Sequence, residues 1–262
     1  MRASELVATA AFLYFAVGCW FGRSRLPRRL LVTVVSLSLV GLIRVVSAEG
    51  DLARDWAPVI YILAGYYVSG LMFVRPSEPV ERWLRAWDHR LLTRPTTRFS
   101  HWPPMLLAYL DLVYTLCFML LPTGFAVLVA TGHRDQADRY WTIVTGSELG
   151  AFMPLAFIQT RPPWVLEPKP DLPDGRMHRM AERAVRNVSH GINTFPSGHA
   201  AGSLGIALAV GATVPAAGAV FLAVAASIWV ACVVGRYHYV VDVVAGVALA
   251  LCVWAVTLVV HI

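Results

Sequence analysis

Eight apolar segments divide the chain, at about 5–22, 30–48, 56–74, 104–131, 141–160, 198–213, 215–235 and 240–261. Roughly 20 helical residues cross the hydrocarbon core of a bilayer. The pattern therefore predicts an all-α, polytopic transmembrane bundle of about eight spans. The sixth segment is short and rich in Gly and Ala, which suits tight helix packing more than lipid contact. Pro215 separates it from the seventh. The first stretch, Met1 to Trp20, has no basic run beyond Arg2 and no small-residue cleavage site before the cluster Arg23 to Arg29. It reads as a retained span and not as a leader. Two connections are long. In residues 75–103, Val80, Trp83, Leu84, Trp87 and Leu91 recur at helical spacing, with Glu81, Arg82, Arg85 and Asp88 on the other side. That spacing predicts an amphipathic helix near 78–92 lying in the headgroup layer. The second connection, 161–199, carries much of the candidate chemistry.

Composition agrees with the pattern and narrows it. Of 262 residues 57% are hydrophobic and 15% charged, and the mean hydropathy is +0.60. A soluble domain of this size has too little interior for so much apolar surface. The basic residues are all Arg except Lys169. A GC-rich coding sequence is the plainer account of that bias; the fit of a guanidinium to phosphate oxygens is the chemical one. The Arg residues lie in short connections without a continuous stripe, so nucleic acid is not expected as a partner. Most of them fall after the first, third, fifth and seventh segments, against Arg2, Arg54, Arg134 and Arg139 on the opposite side. By the positive-inside rule that first face is cytoplasmic, in a multi-pass protein of the cell membrane. Cys19, Cys117, Cys232 and Cys252 sit in apolar runs without CxxC spacing and read as small packing residues.

Three polar segments share the Arg-rich face. Gln159-Thr-Arg161-Pro162-Pro163 closes the fifth span, its prolines ending the helix at the interface. Asn193-Thr-Phe-Pro196-Ser197-Gly198-His199 turns a loop into the sixth span, where free backbone N–H groups, Gly198 and the Ser197 hydroxyl suit a phosphate. Gly235-Arg236-Tyr237-His238-Tyr-Val-Val-Asp242 precedes the last span. His238 and Asp242, four apart, share a helix face. The carboxylate can fix the tautomer and leave the other ring nitrogen free to attack, with His199 as a second imidazole to protonate the leaving oxygen. Arg236, two residues before His238, points about 160° away on a regular helix. It reaches a phosphate only if 235–238 are not helical. Arg44, Asp111 and Glu148 are ionisable groups within apolar runs. Glu148, about three turns before Arg161, lies too deep for the phosphorus and nearer a lipid-tail channel.

Arg161-Pro162, Pro196-Ser197-Gly198-His199 and His238-x-x-x-Asp242 resemble the three signatures of the type 2 phosphatidic acid phosphatase superfamily. The resemblance covers about 56–262 as a six-helix core, with 1–55 as two accessory N-terminal transmembrane helices. It implies metal-independent catalysis without a cofactor, on a lipid phosphate or phospholipid headgroup. His238 would be the nucleophile, Asp242 its orienting partner and His199 the acid, with Arg161, Ser197 and Gly198 on the phosphate. Two cations of the pattern are absent: Pro154 stands where the family has Lys, and Cys232 where it has Arg. Arg236, Arg183, Arg186 and Lys169 are the candidate replacements. Without that Lys, the motifs look more like the branch of inositol phosphorylceramide synthase, which passes a phospho-headgroup to an alcohol acceptor. A transporter or scaffold that keeps the fold without the activity is the reading from another class.

Overall fold

The structure is a computed structural model and describes residues 1–22, 24–167 and 192–260. Its elements are α1 (Ala3–Gly18), α2 (Leu26–Val46), α3 (Asp51–Leu71), α4 (Glu78–Leu92), α5 (Pro104–Thr115), α6 (Leu120–Ala130), α7 (Ala137–Phe152), the single turn α8 (Pro163–Leu166), α9 (Gly198–Gly211), α10 (Pro215–Val234) and α11 (Val240–Val259). Among the described residues there is no strand, only one isolated antiparallel bridge between Thr160 and Asn193. The all-helical expectation holds, and every apolar segment of the sequence carries helix.

Among the described residues three helices are individually long and apolar enough to cross a membrane: α2, α10 and α11. A fourth span results if α5 and α6, bent by 52°, count as one. The bend falls at a 3-10 turn, Cys117–Met119, just before Pro122. A proline ring clashes with the carbonyl four residues back, so a straight helix cannot run through this point. α1 and α9 are apolar but shorter. Large apolar side chains remain exposed along the outer faces, among them Val34 and Leu37 of α2, Val220 and Leu222 of α10, and Val244 and Leu251 of α11. In water such a surface would be costly; against lipid tails it is the expected exterior.

α9 is the hub. It packs on α10, α7, α11 and α6, and Gly and Ala make up most of its buried face, with Ser203, Leu204, Ile206 and Val210. Gly205 faces Ser147 and Gly218 of α10 closely approaches Gly211, so at these two crossings even a methyl group would collide. The small-residue segment thus buys the backbone proximity the sequence suggested. α1 packs on α2, α3 and α7, closing the side of the bundle away from α10.

α4 matches the predicted interfacial helix in its limits but not in its facing. Glu81, Leu84 and Asp88 are buried, whereas Trp83, Trp87 and Leu91 are exposed. The expected polar side therefore contains two carboxylates turned into the protein, and Leu84 goes with them. Spacings of three and four residues set Glu81, Leu84 and Asp88 on one stripe. The aromatic residues occupy another.

Candidate active site

The site lies where α7 ends and α9 and α11 begin. Pro154 stops α7 in the 3-10 turn Met153–Ala156, so the position lacking the expected Lys is a helix break. After it, Gln159 holds the end of α3: its side chain donates to the Met72 carbonyl (2.9 Å) and accepts from Val74 N–H (2.7 Å). Main-chain bonds then tie the three signature segments together. Asn193 N–H donates to Thr160 O (2.8 Å), Trp164 N–H to Arg236 O (3.0 Å), and Ser197 N–H to Asp242 O (2.9 Å). The Tyr239 hydroxyl adds a bond to Arg161 O (3.3 Å). Segments that are far apart in sequence are thus locked at the backbone before any side chain acts.

Two imidazoles face each other within this frame. The His199 and His238 ring centroids are 5.5 Å apart with their planes 61° from parallel. His199 stacks on Tyr114 at 4.8 Å, and Tyr114 stacks on Tyr237 at 3.9 Å, so an aromatic pile fixes the ring. His238 Nδ1 lies 3.5 Å from Asp242 Oδ2, within ion-pair reach once the ring is protonated. The same carboxylate accepts Tyr239 N–H at 2.9 Å, closing the start of α11. Burial pushes the His238 imidazole down to about 3, which favours the neutral ring. His199, His238 and Gly198 line one cavity of about 210 Å³, walled largely by aromatic and aliphatic groups.

The cations behave differently from the expectation. Arg161 does not line that cavity. It grips Glu81 of α4 through three bonds: N–H to Oε1 (2.8 Å), Nε to Oε1 (3.0 Å) and Nη2 to Oε2 (2.9 Å). The bond to Glu81 raises its affinity for its proton further. Arg236 has a left-handed backbone (φ 59), so 235–238 are indeed not helical. Yet its side chain is fully buried between Asp88 (2.6 Å) and Glu167 (2.7 Å) and does not face the cavity either. Asp88 also accepts Val240 N–H at 2.9 Å, linking α4 to the first turn of α11. Ser197 is buried as the N-cap of α9, accepting Ala200 N–H at 3.4 Å, and it is not a cavity-lining residue. Cys232 is buried, and its carbonyl receives both Tyr237 and His238 N–H at 2.9 and 3.0 Å, so it shapes the loop through its backbone. Lys169, Arg183 and Arg186 lie outside the described residues.

The sequence profile of the PAP2 superfamily, the type 2 phosphatidic acid phosphatases, matches residues 82–256. The chain belongs to the PAP2 superfamily. No curated protein and no solved structure matches it. Membership supports a phosphatase-type activity on a lipid phosphate in a membrane-embedded protein. The histidines and Asp242 of this PAP2 protein come together as its motifs imply, while the arginines are engaged by carboxylates. Glu81, Asp88 and Glu167 are the residues that sequence reasoning missed. The signal for the first two was their seven-residue spacing, one stripe of α4. Glu148, expected too deep for the phosphorus and nearer a lipid-tail channel, lines the same cavity as the histidines. Among the described residues no three His, Cys, Asp or Glu side chains converge to hold a metal ion.

Proposed function

We propose that the protein is a metal-independent lipid phosphate phosphatase or phosphotransferase working through a phosphohistidine. The observation that carries this is the pair of imidazoles 5.5 Å apart across one cavity, with Asp242 behind one of them. In the first step His238 Nε2 attacks phosphorus, the bond from phosphorus to the lipid oxygen breaks, and His199, whose protonated form the bound phosphate anion favours, delivers its proton to the departing oxygen. In the second step His199 takes a proton from water or an alcohol, whose oxygen attacks phosphorus and releases His238. Gly198 N–H donates to Thr194 Oγ1 at 3.3 Å, so Gly198, like Arg161, Arg236 and Ser197, would contribute to the phosphate site only if released from its present partner. The membrane supplies the lipid substrate, and the Arg distribution puts the site at the cytoplasmic face of the cell membrane.

Transfer of a headgroup to an alcohol, as in the inositol phosphorylceramide synthase branch, is favoured by one observation. Both arginines near the site are already neutralised by carboxylates. A phosphodiester carries one negative charge and needs less cationic compensation than a phosphomonoester.

The test is phosphate or headgroup release in detergent micelles or vesicles from phosphatidic acid, a polyprenyl diphosphate and phosphatidylinositol, with and without a long-chain alcohol. Wild type should turn over at least one lipid, and His238→Ala and His199→Ala should not. Turnover that requires the alcohol selects the transferase. Equal low rates in all three proteins would remove the enzyme reading and leave a transporter or scaffold. A reporter fused after residue 262 should report an extracytoplasmic C-terminus.

A further inference from the structure

Glu148 of α7 is 6% exposed, and among the described residues no hydrogen bond or ion pair holds its carboxylate. It lines the cavity that contains His199 and His238. Two glycines make room for it. A Cβ at Gly202 would overlap the carboxylate itself, and one at Gly198 would come within 3.3 Å of Oε2. Gly198 begins α9 at the phosphate end and Gly202 is one turn further into the bundle. The carboxyl therefore lies against the first turn of α9, between Gly198 and Gly202, in the same cavity as the two histidines. A carboxyl without a partner inside a mainly apolar cavity is costly unless something that enters the cavity hydrogen-bonds to it. In a phosphate ester the second carbon from the ester oxygen is the nearest one that carries a stable hydroxyl or amide beside the phosphate.

Resting on the lipid-phosphate reading above, we propose that Glu148 recognises a hydrogen-bond donor, a hydroxyl or an amide N–H, on the second carbon of the lipid backbone. The pocket that Phe152, Gly198 and Gly202 form around the Glu148 carboxyl then acts as a selectivity pocket: lipids bearing such a donor seat their phosphate between the histidines, and lipids lacking it leave the carboxyl unpaired. Site and selectivity are separate, because Glu148 touches neither imidazole in the chemistry written above.

Oleoyl lysophosphatidic acid, with a free hydroxyl on that carbon, and its 2-deoxy analogue differ only in the donor. Wild-type protein should show a kcat/KM about 10- to 100-fold higher for the hydroxyl lipid. In Glu148→Leu that ratio should fall to near one, and in Glu148→Gln, which keeps a carbonyl acceptor of the same shape, it should stay well above one. No preference in wild type, or an equal loss on both lipids in Glu148→Leu, overturns the proposal. If neither lipid is turned over by wild type, the functional reading fails and the subsite is judged by binding. The hydroxyl lipid should then raise the thermal midpoint of the detergent-solubilised wild type more than the deoxy lipid does. Absence of that difference, or its persistence in Glu148→Leu, rejects the subsite.

Discussion

At the end of the bundle where α1, α3 and α7 begin, Arg2 reaches Asp51 and Asp55 at 2.9 and 2.6 Å, Arg134 reaches Asp55 at 2.7 Å, and Arg54 holds Glu5 at 2.7 Å. Asp138 accepts the N–H groups of Ala3 and Ser4, each at 2.9 Å. At the other end Arg161 and Arg236 hold Glu81, Asp88 and Glu167. Both networks pair arginine with carboxylate, yet they do different things. In the first, Glu5, Asp51, Asp55 and Asp138 all lie early in their helices, where the exposed N–H groups favour negative charge. It clasps three helix starts. In the second, Glu81 and Asp88 of α4 fasten two signature loops beside the pair of imidazoles. Identical chemistry builds a hinge-free lid at one end and a scaffold for reactivity at the other.

The comparison is sharpest in activity. His238→Ala should lower phosphate or headgroup release by at least about 1,000-fold with the thermal midpoint little changed. A variant retaining a tenth of the rate would show that the imidazole pair is not the reacting centre. Next comes Asp88→Ala, which leaves Arg236 buried without its closest partner. Unfolding of the solubilised protein should show a loss of about 3–5 kcal/mol, accompanied by reduced turnover as the His238 loop loosens. A loss near zero would mean that the inner network is no stronger than the outer one.

A pH series separates the ends further. The His238 ring stays neutral in the folded protein down to about 3, whereas in the unfolded chain it takes up a proton near 6.5. Between those values the unfolded state binds more protons, so stability falls as pH falls, by up to about 1.4 kcal/mol per pH unit from this group. Replacing His238 with Asn should flatten that part of the midpoint-against-pH curve between pH 6.5 and 4. An unchanged slope would show the ring to be solvated. The smallest effect belongs to the outer clasp. Glu5→Gln weakens a charge-assisted pair with Arg54 and should cost about 1–3 kcal/mol with the substrate preference intact; a shift in preference would couple the two ends.

What could be read from the sequence follows from how each residue acts. His199, His238 and Asp242 act locally: a four-residue spacing and a helix start suffice to orient them, and periodicity displays both. The eight apolar segments were equally plain, since lipid exposure leaves nearly every position apolar. Glu81 and Asp88 were hidden by the rule that charged residues face water. On α4 that rule holds for Arg82 and Arg85 but fails where an inward carboxylate meets an arginine from a loop some 80 or 150 residues later in the chain. For Glu148 the sequence gives depth along α7 alone. The start of α9 sits inside the bundle, so a residue well before Arg161 in sequence is beside Gly198 in space. Arg236 shows the same limit: its conformation was correctly named as the condition for reaching a phosphate, but only the fold reveals that Asp88 and Glu167 take the guanidinium first.

One helix gives the molecule a vertical reference. The outward Trp83, Trp87 and Leu91 of α4 seek the boundary between headgroups and tails, while Glu81 and Asp88, on its inward stripe, hold the loops that flank the two imidazoles. On the proposed reading, with α4 at the interface and His238 as the nucleophile, the height of the attacking nitrogen is gauged from the surface of the leaflet and not from the middle of the bilayer. In a thicker or thinner membrane the spans can tilt to compensate, but the float on which the loops hang keeps the same draught, and the phosphorus of an arriving lipid meets the histidines at one level.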